Sequence, residues 1–175
     1  ISPNKISNIN FYDDLALVLS LKKISFFQLR LKKETNLNKL IIGKKIKKIC
    51  NKYNVKFLVN DNPLLAKKLN ADGCHLGQKD MDLIKARKIL KNKISGVTCH
   101  NSVDLAKRAI EAGADYLAFG AFYATKTKIV KYKVKVLIKH DPLLARKMKA
   151  DGCHLGQKDM DLIKARKILK NKIIG

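Results

Sequence analysis

The chain has 175 residues, 46% of them hydrophobic, which suffices for one globular domain with an ordinary core and leaves little room for a second. The formal net charge of +24 suggests nucleic-acid binding, but 33 of the 38 basic residues are lysines spread over every helical segment, whereas phosphate recognition favours arginine. The longest apolar runs, such as residues 15–21, fall far short of the roughly 20 residues of a membrane helix, and without a signal-peptide pattern we expect a cytoplasmic protein.

Helical and strand patterns alternate from residue 11 onward. Apolar side chains at helical spacing mark the helices, and short β-branched or aromatic runs mark the strands. In chain order the patterns predict helix 11–21, strand 24–30, helix 38–53, strand 55–60, helix 62–70, strand 73–77, helix 82–90, strand 94–98, helix 102–113 and strand 116–120. Pro63 falls in a first helical turn, where its missing N–H costs nothing, and Gly113 ends a helix. The apolar stripe of the second helix is predicted to comprise Ile41, Ile42, Ile46, Ile49 and Cys50.

The alternation of strands and helices predicts βαβ units and a parallel sheet that is buried on both faces. So many short units in succession favour a (β/α) barrel of the TIM type over an open doubly wound sheet. Polar residues cluster where the strands end, in "QLRLK", "VND", "GQKD", "GVTCH" and "GAFYATKTK". Because barrels of this type place their chemistry at the C-terminal ends of the strands, we expect one site at that mouth.

Two carboxylates at these strand ends suit a metal ion. Asp61 and Asp80 end successive strand units, so a barrel would direct both into the same mouth. Mg²⁺ takes one or two carboxylates and leaves its other positions to water and phosphate oxygens. The alternative is that each Asp only caps the helix that follows, which is the commoner role of an isolated Asp after a strand.

Further strand-end residues suit phosphate groups. Gln28, Arg30 and Lys32 alternate along one strand end and offer an amide and two cations to a diphosphate. A loop after Gly120 offers two hydroxyls and an ammonium to a phosphate, from Thr125, Thr127 and Lys128. Either lysine taken alone is more typical of ordinary surface charge, so the prediction depends on their sharing one rim.

The four cysteines have no C-x-x-C spacing and form no disulfide framework. Cys50, Cys74, Cys99 and Cys153 are therefore expected to be reduced structural thiols, and zinc is not expected. His75 lies within a predicted strand, which favours a structural histidine over a catalytic base.

Together the strand-end motifs resemble thiamine phosphate synthase, from the first residues to about Lys128. The matching motifs are Q-x-R-x-K at 28–32, "VND", "ADGCHLGQKDM" followed by "ARKIL", "GVTCHN", "GADYLAFG" and T-x-T-K at 125–128. The resemblance implies a TIM barrel that joins hydroxymethylpyrimidine diphosphate to a thiazole phosphate and releases pyrophosphate, with Mg²⁺ as cofactor. It also implies small phosphorylated substrates as partners, with no specific nucleic acid and no membrane.

The resemblance implies a role for each residue of the pyrimidine half of the site. The residues that would hold the pyrimidine diphosphate are Gln28, Arg30, Lys32 and Asn60. Asp61 and Asp80 would ligate Mg²⁺. Thr98, at a position where the family usually has Ser, would contact the substrate.

In the thiazole half, the resemblance implies that Thr125 and Thr127 hold the thiazole phosphate and that Lys128 holds the diphosphate. The family's reaction is dissociative: pyrophosphate leaves the pyrimidine methylene, and the thiazole nitrogen captures the resulting cation. This reaction needs stabilisation of the leaving group more than proton transfer. Arg30 and Lys128 are accordingly the expected catalytic residues.

A long segment occurs twice in the chain. Residues 71–94 recur letter for letter at 150–173, and the wider segment 135–175 matches 56–96 at 32 of 41 positions. A recent duplication, a truncated gene remnant and a join between two related sequences all explain such identity. A partial or chimeric chain is favoured, and the first residue, Ile rather than Met, suggests a start inside a longer gene product.

The two copies differ most at one strand end. Lys139 and His140 replace Asn60 and Asp61, while Asp159 corresponds to Asp80. The second copy therefore cannot build the same Mg²⁺ site, and its helices and strands are expected to serve as packing elements.

The copy stands where the resemblance implies other C-terminal units, including glycine-rich strand ends for the thiazole phosphate. Between Gly120 and Val134 no helical pattern occurs, although a parallel crossover normally needs one. We expect a single barrel domain over 1–175, with a family-like part at 1–128 and the duplicated segment at 129–175, that is incomplete or irregularly closed.

Three alternatives to an active transferase stay open. The first is a non-catalytic relative that binds a thiamine-pathway phosphate or has a regulatory role. The second is an inactive fragment, and the third is a basic nucleic-acid-binding protein. The replaced glycine-rich units favour the first two, and the complete diphosphate and Mg²⁺ residues oppose them. Lysines interleaved with Ile and Asn on solvated helix faces oppose the third.

Overall fold

A computed structural model of the chain describes residues 1–8, 10–21, 24–120, 135–139, 141–156 and 160–175. The helices are α1 (Phe11–Ser20), α2 (Asn36–Lys52), α3 (Pro63–Lys68), α4 (Leu83–Leu90), α5 (Val103–Glu111), α6 (Pro142–Lys147) and α7 (Leu162–Leu169). The strands are β1 (Phe26–Leu29), β2 (Lys56–Asn60), β3 (Gly73–Leu76), β4 (Ile94–His100), β5 (Tyr116–Phe119), β6 (Lys135–Lys139), β7 (Gly152–His154) and β8 (Ile173–Ile174). All ten predicted elements are present, each end within two residues of the predicted one.

The strands form one parallel sheet of eight in the order β1 to β8, as predicted for a (β/α) barrel. Ladder pairing among the described strands stops at β8 and does not continue to β1. The two nevertheless meet, because a Cβ built on Gly175 would lie 3.8 Å from the Cβ of Phe26. The barrel is thus nearly closed, and the predicted irregular closure is confirmed at this seam.

The first residues of the chain lie along β1, next to the seam. The Ser2 amide donates a hydrogen bond of 2.9 Å to the carbonyl of Gln28, and the Arg30 amide donates one of 2.7 Å to Ser2 Oγ. Nearer the helices, a cavity of about 400 Å³ remains between α1, β1 and β8, with Phe11, Phe27 and Ile174 among its lining residues. The first residues therefore pair with the C-terminal end of β1, and the cavity lies between β1 and α1.

Side chains alternate between two apolar layers. In β2, Phe57 and Val59 face the helices, whereas Leu58 joins Tyr116 and Leu137 in the barrel interior. Helix α2 buries Ile46 and Cys50 as predicted, but Ile41 is 48% exposed, so the prediction that it belongs to the buried stripe is wrong. Ile41 precedes Ile46 by five residues, which is about 140° around the helix, so it lies away from the face that buries Gly43, Ile46 and Cys50.

The four cysteines are all buried and unbridged, which confirms their prediction as structural thiols. Burial raises the pKa of the Cys50 and Cys74 thiols to about 12 and that of Cys99 to about 11. Of the helices that the structure describes, none combines the length and the apolar character needed to cross a bilayer.

The copied segment repeats the packing of the original. β6 pairs with β7 through Leu137 and Gly152, just as β2 pairs with β3 through Leu58 and Gly73. At both glycines a Cβ would lie 2.1 Å from a carbonyl oxygen of the next strand. The copy therefore supplies three strands that complete the sheet. The connection at 121–134, where no helix was predicted, lies outside the described residues.

Candidate functional site

Two carboxylates meet at the C-terminal mouth of the barrel. Asp61 follows β2 in a left-handed backbone conformation (φ 63°), and its amide donates a 2.7 Å hydrogen bond to the carbonyl of His75 on β3. Asp80 lies in the loop after β3, where its Oδ2 accepts a 2.7 Å hydrogen bond from the Gly77 amide. The two carboxyl groups are close enough to share a hydrogen bond when one of them is protonated.

The electrostatics of the pair are unfavourable without a cation between its members. Burial, then the hydrogen bond and negative charge of Asp80, raise the pKa of Asp61 to about 6, and the positive charges of Lys32 and Arg30 oppose the rise only in part. Neither Asp caps a helix: Asn62 Oδ1 caps α3 and Asp82 Oδ1 caps α4. The helix-cap alternative therefore does not apply to Asp61 or Asp80.

Cationic and amide side chains follow β1 beside this pair. Gln28 is buried, and its Nε2 donates to Asn60 Oδ1 at the end of β2. Half-buried Arg30 donates from Nη1 to Asn4 Oδ1 at 3.1 Å, and Lys32 is exposed. Four residues predicted for the diphosphate thus lie on two adjacent strand ends, next to the two carboxylates.

A buried hydrogen-bonded chain lies below the mouth. His75 contacts the Tyr116 hydroxyl through Nδ1 at 2.8 Å and Thr98 Oγ1 through Nε2 at 2.7 Å. Burial, reinforced by the charge of Lys139, lowers the pKa of His75 to about 3, so the ring is neutral. A neutral histidine with both nitrogens engaged fits the predicted structural role. Thr98 is only 7% exposed, and its contact with a substrate stays a prediction.

One residue of the mouth comes from the copied segment. Lys139, the last residue of β6, donates from Nζ to Thr98 Oγ1 at 2.9 Å. The charges of Arg30, Asp61 and Lys32 all act on it. At the sequence level the replacement of Asn60 by Lys139 is interpreted only as the loss of a metal site. A lysine at the end of a strand in a barrel could have predicted a cation at the mouth.

Several predicted residues lie outside the described part of the chain, namely Thr125, Thr127, Lys128, His140 and Asp159. Their roles stay predictions. Within the described part, no group of three or more His, Cys, Asp or Glu side chains forms a metal cage, and Asp61 with Asp80 is a set of two.

The sequence model of one protein family, described as thiamine monophosphate synthase, matches residues 1–131 and 129–175. The chain belongs to the thiamine monophosphate synthase family. This confirms the resemblance inferred from the strand-end motifs. The second match of the thiamine monophosphate synthase model falls on the copied segment, so both copies carry the family's sequence pattern.

Curated members of the thiamine monophosphate synthase family give the extent of the likeness. Over 138 residues the chain is 86% identical to the thiamine-phosphate synthase of Pelagibacter ubique (strain HTCC1062), covering 79% of this chain and 67% of that protein. It is 44% identical over 102 residues to the thiamine-phosphate synthase of Marinobacter nauticus, covering 58% and 46%, respectively. The same enzyme name belongs to a Nitrosomonas eutropha protein that is 36% identical over 132 residues, covering 75% and 62%. The chain therefore spans about half to two thirds of these relatives.

A solved structure shares the fold. Thiamine phosphate pyrophosphorylase from Pyrococcus furiosus superimposes with a TM-score of 0.72 over 91% of this chain and 87% of that one, at 24% sequence identity. An identity this low supports the barrel architecture alone. The copied strands of this thiamine monophosphate synthase family member thus complete a barrel of the same kind.

Proposed function

We propose that the chain is a transferase of the thiamine-phosphate synthase type. It joins hydroxymethylpyrimidine diphosphate to a thiazole phosphate and releases pyrophosphate, acts in the cytoplasm, and depends on Mg²⁺. The observation that carries the proposal is the Asp61–Asp80 pair beside Arg30 and Lys32 at the barrel mouth, in a chain that belongs to this family.

The carboxylate pair fits a magnesium ion. Two hard oxygen donors on neighbouring strand ends suit Mg²⁺, which leaves its other positions to water and phosphate oxygens. Burial and the neighbouring Asp80 raise the pKa of Asp61, and a divalent cation would offset both effects by stabilising the ionised carboxyl groups. Asp61 and Asp80 would hold the ion, which supplies charge neutralisation to the diphosphate.

The chemistry requires charge stabilisation of a leaving group. The bond between the pyrimidine methylene carbon and the diphosphate oxygen breaks, and the thiazole nitrogen forms a bond to that carbon. Arg30 binds diphosphate oxygens through its planar guanidinium and Lys32 adds a flexible point charge. Both cations balance the charge that develops as pyrophosphate departs.

The remaining side chains orient the substrate and keep the site ordered. The Gln28–Asn60 amide pair presents polar groups from β1 and β2 next to the cations. His75 moves no proton in this scheme, because both its nitrogens are engaged and burial lowers its pKa to about 3. Its role is to hold Thr98 and Tyr116 in place under the mouth.

A non-catalytic, phosphate-binding relative is the second candidate. The observation that favours it is the occupation of the last three barrel strands by the copy of 56–96, where the resemblance implies glycine-rich strand ends for the thiazole phosphate. Such a protein would keep the Mg²⁺-dependent affinity for the pyrimidine diphosphate and lack turnover.

Product formation distinguishes the two candidates. The purified chain is incubated with both substrates and Mg²⁺, and thiamine phosphate is quantified together with thiazole-phosphate-dependent pyrophosphate release. We expect product from the wild type, at least about 100-fold less from Asp61→Asn because a charged ligand is lost, and unchanged turnover from Asp104→Asn, an exposed carboxylate on α5. A folded wild type that binds the pyrimidine diphosphate with Mg²⁺ but forms no product would refute the transferase and support the second candidate.

A further inference from the structure

Lys139 is a cation that the copied segment adds to the mouth. It ends β6, and its counterpart in the first copy is Asn60, which instead accepts from Gln28. Its side chain runs over Gly120, where a Cβ would lie 2.8 Å from the Cβ of Lys139. Because Gly120 has no side chain, the aliphatic stem of the lysine packs onto the backbone after β5.

The ammonium group of Lys139 has unused hydrogen-bonding capacity. An ammonium has three N–H donors, and among the described residues Nζ contacts one acceptor, Thr98 Oγ1 at 2.9 Å. The ion pairs of the described residues do not include Lys139. A half-buried cation of this kind has donors left for water or for an anionic ligand.

The charges around Lys139 favour an anion. Arg30 and Lys32 repel its charge and Asp61 attracts it, and burial together with the two cations lowers the pKa of Lys139. Two cations that follow β1 and one that ends β6 thus face the same mouth as two carboxylates. An anion with several oxygen atoms would bind these cations and offset the repulsion of Lys139 by Arg30 and Lys32.

We infer that Lys139 is a further anion-binding residue of this site, and that it donates to oxygen atoms of the substrate's diphosphate and of the released pyrophosphate. The identity of the anion rests on the proposed function. In this arrangement the copied segment contributes to the site through one of the residues in which it differs from the original. The position that holds an uncharged amide in the first copy holds an ammonium in the second.

The alternative role for Lys139 is purely structural, as the partner that fixes Thr98 above His75. Two substitutions separate the roles. Lys139→Gln keeps a donor for Thr98 and removes the charge, whereas Lys139→Arg keeps the charge. Lys147→Gln, at an exposed lysine of α6 in the same segment, removes the same charge away from the mouth and is the matched control.

The test is titration calorimetry of inorganic pyrophosphate with Mg²⁺ into each full-length chain. We expect Lys139→Gln to weaken the affinity about 10-fold or more, which is the range for a lost hydrogen bond to a charged group. Lys139→Arg should stay within about threefold of the wild type, and Lys147→Gln should be unchanged. Three results would overturn the inference. Wild type and Lys139→Gln could bind pyrophosphate with equal affinity, Lys147→Gln could lose as much affinity as Lys139→Gln, or the wild type could fail to bind pyrophosphate.

A second measurement on the wild type does not depend on the folding of a variant. Acetic anhydride labelling followed by mass spectrometry should show that pyrophosphate with Mg²⁺ slows acetylation of Lys139 several-fold and leaves Lys147 unaffected. Unprotected Lys139 would overturn the inference. If the wild type turns over but wild type and Lys139→Gln bind pyrophosphate equally well, the proposed function holds and the inference fails. If pyrophosphate binding depends on Lys139 but the wild type forms no product, the inference holds and the proposed function fails.

Discussion

Asp61→Asn is expected to stabilise the ligand-free chain while it removes function. The substitution keeps the size of the side chain, and Asn tolerates the left-handed backbone at this position (φ 63°) as well as Asp does. What changes is the charge. Because two carboxylates and partial burial disfavour ionised Asp61, the wild type carries an unfavourable charge at neutral pH that the variant lacks.

The magnitude follows from the pKa of Asp61, which rises from 3.8 to about 6 on folding. A folded-state pKa above the unfolded value contributes stability that is fully present below about pH 4 and is lost as the pH rises through about 6. Two units correspond to about 3 kcal/mol for a fully buried group, and partial solvent screening of half-buried Asp61 reduces this to about 1 kcal/mol. The variant should therefore gain about 1 kcal/mol at pH 8 and only about a third of that at pH 4.5.

The assay is equilibrium unfolding in urea at the two pH values, without Mg²⁺. The control is Asp104→Asn, in which the exposed carboxylate in the first turn of α5 is lost. That carboxylate interacts favourably with the helix N-terminus, so the control should lose a few tenths of a kcal/mol at pH 8, opposite in sign to the test variant. Addition of Mg²⁺ with pyrophosphate should then stabilise the wild type and not Asp61→Asn.

Two results would refute this reasoning. If Asp61→Asn is less stable than the wild type at pH 8, ionised Asp61 is stabilised in the folded chain and the two carboxylates do not repel each other. If the change is the same at pH 4.5 and pH 8, it does not arise from the charge of Asp61.

Other expectations concern the packing of the barrel. Gly152→Ala and Gly73→Ala should each lower the free energy of unfolding in urea by about 1–3 kcal/mol, because each new Cβ would lie 2.1 Å from a carbonyl oxygen. Unchanged stability of Gly152→Ala would mean that the copy does not pair into the sheet. Tyr116→Phe should cost about 1–3 kcal/mol, because it removes the hydroxyl 2.8 Å from Nδ1 of buried His75, and unchanged stability would contradict that hydrogen bond. The four cysteine thiols should react with a disulfide reagent at pH 8 only after unfolding, and fast reaction of the native chain would contradict their burial.

Much of the fold was predictable because its signals are local. Periodicity, Pro63 at the start of α3 and the strand runs each depend on about ten neighbouring residues, and all ten predicted elements formed. The strand-end motifs were also sufficient to identify the family, since a barrel with parallel strands brings the ends of all strands to one mouth.

The error and the omission have different origins. Ile41 is predicted in the buried stripe because it is apolar, although its spacing of five residues from Ile46 places it on another side of α2. The contact between Lys139 and Thr98 joins residues 41 positions apart and requires β4, β5 and β6 to pair in order.

By itself the sequence determined the helices and strands, their alternation, the family and the residue types at the strand ends, because each of these depends on residues that are close together in the chain. Only the tertiary structure decided that the copied strands complete a nearly closed barrel, that Asp61 and Asp80 lie close enough to shift the pKa of Asp61, and that Lys139 reaches the mouth. Those features depend on the closure of the sheet, which sets the distances between strand ends that no local pattern contains.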